Sequence, residues 1–166
     1  AIYRLGGHVD DFTDQIADSP VFRRLLERTK AELDSCTMGA RPSANMFWAI
    51  AKLRAHATHF AVLLPALINV VEQQAPNMKP QESANAFWAA ATLRLDGKEI
   101  TGMLAALCKV FRQKATNMNP QDIANIMWAA GALRLDSRDI KDTLAILLAI
   151  APQVIPTMKP QQIGNI

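Results

Sequence analysis

The chain has 166 residues, half of them apolar and 20% charged, with a net charge of +3. That balance excludes a disordered or low-complexity chain, and the charge is far short of the concentrated basic stripe of a dedicated nucleic-acid binder. The apolar runs are broken well before the roughly 20 residues of a membrane span. This predicts a soluble chain with no membrane partner.

A period of 40 residues organises the sequence. Cut at Met38, Met78 and Met118, it gives three lines, each matching the next at 17 of 40 positions without a gap. A fourth line starts at Met158. The expected units are 38–77, 78–117, 118–157 and the start of another at 158–166. Residues 1–37 are expected to be a divergent or capping unit. The chain starts at Ala1 and stops inside a repeat, as a piece of a longer array would.

In the N-terminal unit, Ile2 to Ala17 reads as a divergent first helix. Asp18-Ser19-Pro20 then signals a second helix over the following VFRRLLERTKAELDSC. In the complete units a first helix, A, starts near Pro80 or Pro120, where proline is tolerated. Asn119 is a competent N-cap and Lys79 a poor one. Ala84, Phe87, Trp88, Ala91 and Leu95 recur at the spacing of one buried helical face, with the tryptophan expected to supply the large buried area. Asp96-Gly97 and Asp136-Ser137 are turn residues. The second helix, B, is expected over Lys98–Lys114 and Arg138–Ile150. Pro65 is expected to bend its first-unit counterpart or delay its start, and Pro152 to end or kink the last one.

One two-helix unit cannot cover its own apolar face, so neighbours must stack. The expected fold is all-α: an α-solenoid of tandem 40-residue two-helix repeats, an armadillo/HEAT-like superhelix. Ala44, Ala84, Ala124 and Ala49, Ala89, Ala129 are the small residues that let its helices approach.

The polar positions repeated in register are the binding candidates. Asn45, Asn85 and Asn125 lie three residues before each tryptophan. A buried amide needs partners, so a structural ladder bonding adjacent backbone stands beside contact with a ligand. Arg54, Arg94 and Arg134 close each A helix, where the dipole favours cations. They pair locally with Asp96 or Asp136, or form a row facing an anionic or protein ligand. Lys52, Thr92 and Ala132 vary on the fixed frame, as do Pro42, Glu82 and Asp122, and varying positions are where specificity resides. His56 and His59 are three apart, with no Cys, Asp or Glu nearby in sequence to complete a metal set. Cys36 and Cys108 form no metal or disulfide pattern and read as reduced, partly buried thiols. No cofactor fingerprint, metal motif or converging catalytic group is present, so neither a cofactor nor an enzymatic activity is expected.

The strings SANMFWAIAKLR, SANAFWAAATLRL and IANIMWAAGALRL resemble the SKWP repeats of large type III secretion effectors of plant-pathogenic bacteria, which are related to armadillo and HEAT repeats. They are also similar to the octotricopeptide repeats of organellar RNA-binding proteins. Asn85, Trp88, Ala89, Leu93 and their 40-residue equivalents carry the resemblance across residues 38–166. The first resemblance implies a non-catalytic virulence scaffold, secreted into a host cytoplasm, that binds a host protein. The second, the alternative, implies an array recognising single-stranded RNA; the small or apolar members of the varying positions and the mild net charge favour the protein-binding expectation. Arg54, Arg94 and Arg134 depart from the octotricopeptide pattern, which commonly has Gly there.

Overall fold

A computed structural model describes residues 2–95, 98–133 and 138–164. Among them every regular element is helical and no strand occurs.

The N-terminal region is more broken than its sequence suggests. The expected first helix is split into α1 (Ile2–Leu5), a 3-10 turn at Val9–Asp11 and α2 (Asp14–Ala17). Gly6, Gly7 and the capping Thr13 interrupt it: Thr13 Oγ1 accepts from the Ile16 amide at 3.4 Å. Helix α3 (Pro20–Asp34) starts where Ser19-Pro20 predicts, with Ser19 Oγ accepting from Phe22 N at 3.2 Å.

The A helices are α4 (Ala40–Lys52), α6 (Pro80–Thr92), α8 (Pro120–Leu133) and α10 (Pro160–Ile163), starting 40 residues apart. The B helices are α5 (Leu64–Gln74), α7 (Thr101–Lys114) and α9 (Arg138–Val154). Pro65 delays α5: residues Arg54–Leu63 form a long 3-10 segment, and Pro65 sits in the first turn of α5, where its missing N–H costs nothing. Pro152 does not end its helix, which continues to Val154. Joined to their flanking 3-10 turns, Arg54–Asn77 and Arg138–Thr157 become helical stretches of 24 and 20 residues, each containing an 18-residue window with a mean hydropathy of 1.3. By length and composition alone both are sufficient to cross a membrane, a test that core helices of soluble proteins also pass.

The helices pack in two rows. Helices α1, α4, α6, α8 and α10 touch in that order, as do α3, α5, α7 and α9, and within each unit α4 meets α5, α6 meets α7 and α8 meets α9. Ala44, Ala84, Ala124, Ala49, Ala89 and Ala129 are completely buried, allowing the close approach of α4, α6 and α8. Between the rows lie Phe47, Phe87 and Phe111, with Phe87 and Phe111 edge to face at 5.3 Å. Phe12, Phe22 and Phe60 form a second aromatic cluster that anchors the N-terminal segment. Gly6 is needed there, because a Cβ on it would lie 2.7 Å from Cα and Cβ of Ala49.

Trp48 and Trp88 pack against the core but are not enclosed by it. Trp48 and Trp88 are half-buried and Trp128 is 37% exposed, whereas Phe47 and Phe87 are enclosed. Adjacent residues on a helix point about 100° apart, so turning the phenylalanine toward the B row leaves the tryptophan at the edge of the outer face.

Polar bonds link neighbouring units. Lys114 Nζ donates to the carbonyls of Met78 and Pro76, and Arg112 pairs with Asp139 at 3.0 Å. Cys108 is buried, which pushes its thiol pKa up. Cys36 is exposed, so only one thiol is sequestered.

Candidate ligand-binding face

The outer face of the A row is built from residues at helical spacing. On α4, Arg41, Asn45, Trp48 and Lys52 follow one another along the same stripe. The 40-residue period repeats that stripe as Gln81, Asn85, Trp88 and Thr92 on α6, then as Gln121, Asn125, Trp128 and Ala132 on α8. Side-by-side packing of the three helices converts sequence repetition into rows across the face.

These rows line adjoining open grooves. The first, about 740 Å³, is walled by Asn45, Asn85, Asn125, Trp48, Trp88 and the glutamine row. It shares Trp48, Lys52 and Trp88 with a second groove, which reaches Arg54. Arg54 also lines a third groove, with Arg94 and Trp128.

The amides are not the satisfied ladder that burial would require. Asn45, Asn85 and Asn125 are half-exposed. Asn125 Oδ1 accepts from Gln121 Nε2 at 2.7 Å, and Gln121 Oε1 accepts from Gln162 Nε2 at 3.0 Å. Among the described residues, the side chains of Asn45 and Asn85 make no hydrogen bond within the protein. Their donors and acceptors face the groove.

Beside the amides runs the aromatic row. The ring centroids of Trp88 and Trp128 are 6.3 Å apart, and Tyr3 of α1 extends the row to Trp48 at 5.9 Å. Lys52 Nζ lies 5.7 Å from the Trp48 centroid, a cation–π contact. The cations on these walls are Arg41, Lys52, Arg54, Lys79 and Arg94, against the acids Asp10 and Glu82.

The acidic candidates serve the helix starts. Glu82 Oε2 accepts from Lys79 N at 2.9 Å. Asp122 is buried: its Oδ2 accepts from Asn119 N at 3.2 Å, and Asn119 Oδ1 accepts from Asp122 N at 2.9 Å, a reciprocal cap. Burial raises the Asp122 carboxyl above its usual range, partly offset by the bond from the Asn119 backbone. Gln162 performs the same task with a neutral amide, accepting from Lys159 N at 2.7 Å.

The arginines are not equivalent. Arg54 opens the 3-10 segment, while Arg94 has φ +53°, the left-handed conformation that favours glycine. Leu95 N donates to Ala90 O at 3.3 Å and Arg94 N to Ala91 O at 3.1 Å, the paired bonds of a Schellman helix end. Arg134 and the turn pairs Asp96-Gly97 and Asp136-Ser137 lie outside the described residues.

Thr92, at the end of the same stripe as Lys52, has a buried hydroxyl without a hydrogen-bond partner. Sequence reasoning missed the aromatic row because it assigned the tryptophans to the core. It also missed Tyr3, which lies outside the 40-residue frame. Comparison with protein-family models, curated proteins and solved structures produced no match.

Proposed function

We propose that the chain is a segment of an α-solenoid of 40-residue two-helix units whose A-helix face binds single-stranded RNA. The observation that carries this is the coincidence, on one cationic face, of half-buried tryptophans with Asn45 and Asn85 amides that have no hydrogen-bond partner among the described residues.

The repetition favours a polymeric ligand. Identical residues recur at the spacing of packed helices, about 8–10 Å, and a chain with a repeating backbone matches that periodicity better than an irregular protein surface does. Indole faces stack on any base, and amides offer both a donor and an acceptor to base edges. Cations outnumber acids on the groove walls, and Glu82 is already engaged by the Lys79 amide. Lys52, Thr92 and Ala132 vary along the rows, and so do Arg41, Gln81 and Gln121, so these positions would distinguish one base from another. The similarity to octotricopeptide repeats points the same way, while Arg54 and Arg94 depart from that pattern, which commonly has Gly there.

A host-protein scaffold, as the effector resemblance implies, is the competing reading. Tryptophan and arginine are also enriched at protein interfaces. A fluorescence-anisotropy titration with a pool of single-stranded RNA at several salt concentrations separates the two. Binding that weakens with salt and is reduced in Trp88→Ala supports RNA. Absence of binding even at low salt overturns it and leaves the protein reading standing.

A further inference from the structure

His56, His59 and Asp14 come together although 42 residues separate Asp14 from His56. His56 and His59 lie three apart in the 3-10 segment 54–63. Their imidazoles are stacked, at 6.3 Å between centroids and inclined at 29°. His56, at a kink with φ −114° and ψ 19°, is held by the ring of Phe12 at 5.1 Å. Asp14 opens α2, and its Oδ1 lies 3.1 Å from His56 Nδ1 and 3.5 Å from His59 Nε2. The Asp14 partner is what the sequence could not reveal.

We propose that these three side chains form a zinc site of two histidines and one carboxylate, with water completing the shell. At Zn–N and Zn–O lengths of about 2.0–2.1 Å, neighbouring donors of a tetrahedral site are about 3.3–3.4 Å apart. The two Asp14 contacts lie close to that edge length. All three donor atoms lie within 4.8 Å of one another, so modest imidazole rotations close the third edge. The histidine side chains are 22% and 29% exposed, which leaves an entry path for the ion.

The donor set of two imidazoles and one carboxylate suits a borderline cation such as Zn²⁺ better than a hard one. The repeat frame does not demand it: the 40-residue equivalents of His56 and His59 are Asp96 and Glu99, then Asp136 and Asp139. A bound ion would pin the short helix α2 onto the 3-10 segment of the first complete unit. The N-terminal aromatic cluster is then closed by a metal clip rather than by packing alone.

Isothermal titration of the chelator-treated chain with Zn²⁺, paired with thermal melts, tests this. The expected result is one ion per chain and a rise in Tm of about 5–10 °C at a hundredfold excess over Kd. His59→Ala and Asp14→Asn change exposed or half-exposed side chains and are expected to keep the metal-free Tm. Each should weaken binding beyond the 10–100-fold typical of losing a supporting group. Cys36→Ser should bind as the parent does. No binding by the parent, full binding by both ligand variants, or loss in Cys36→Ser would overturn the assignment.

Discussion

The indole rings of Trp88 and Trp128 lie 6.3 Å apart, inclined at 35°, on neighbouring A helices. One residue before Trp88, Phe87 points the other way and meets Phe111 edge to face. In the first two repeats an adjacent aromatic pair, Phe47-Trp48 and Phe87-Trp88, is thus divided between the core and the edge of the outer face. Phe87→Ala is expected to cost about 3–5 kcal/mol of stability in urea unfolding, and Trp88→Ala distinctly less. Trp88→Ala should instead weaken RNA binding by about 1–3 kcal/mol, the usual worth of one stacked base. Equal destabilisation by the two variants would return Trp88 to the core.

Arg94 occupies a backbone conformation that costs an L-residue about 1–2 kcal/mol. Arg94→Gly relieves that cost while preserving the helix end, so its urea midpoint should rise. If Arg94 neutralises a phosphate, the same variant binds RNA more weakly, with the salt slope reduced by about 0.7. A more stable variant with unchanged RNA affinity and salt slope would make Arg94 a spectator.

Asp122 links stability to pH. Its native carboxyl is raised by burial, so the native state holds this proton more readily than the unfolded chain does. The resulting stabilisation is fully present below the ordinary carboxylate range and is lost as pH rises through the raised native value. Asp122→Asn keeps an oxygen able to accept from the Asn119 amide, as Gln162 does in the next unit. Denaturation across pH should find the variant at least as stable as the parent at neutral pH, with less gain on acidification. An identical pH profile would show that Asp122 is not the linked group.

At Gly6, α1 touches α4 with no room for a side chain. Gly6→Ala should destabilise the chain by about 1–3 kcal/mol through overpacking. Hydrogen exchange should place the loss in residues 2–17 rather than in α6 or α8. Uniform loss of protection would mean that the N-terminal segment and the later units unfold as one.

Much of the helical pattern was legible because it rests on local chemistry. Ser19-Pro20, Asn119-Pro120 and the recurrence of Pro80 and Pro120 located helix starts, and the buried alanines followed from their period; Pro160 was read as part of a loop and instead opens α10. Of the two outcomes that Pro65 allowed, a bend or a later start, the structure has the later start, because proline is acceptable in the first turn. Of the two that Pro152 allowed, an end or a kink, the early end does not occur, since α9 continues to Val154. The tryptophans were misplaced for a related reason: hydrophobicity cannot say which of two adjacent aromatics, Phe87 or Trp88, wins the interior.

By itself, then, the sequence determined the helices, their 40-residue spacing and which residues repeat, since capping, turn chemistry and periodicity act within a few residues. Only the tertiary structure decided what those repeated residues face. Packing α4, α6 and α8 side by side turned Asn45, Asn85 and Asn125 outward with the tryptophans and gathered the separate repeats into one groove. Folding α2 against the 3-10 segment brought Asp14 to His56 and His59. Proximity between residues distant along the chain is set by helix packing, which no local pattern encodes.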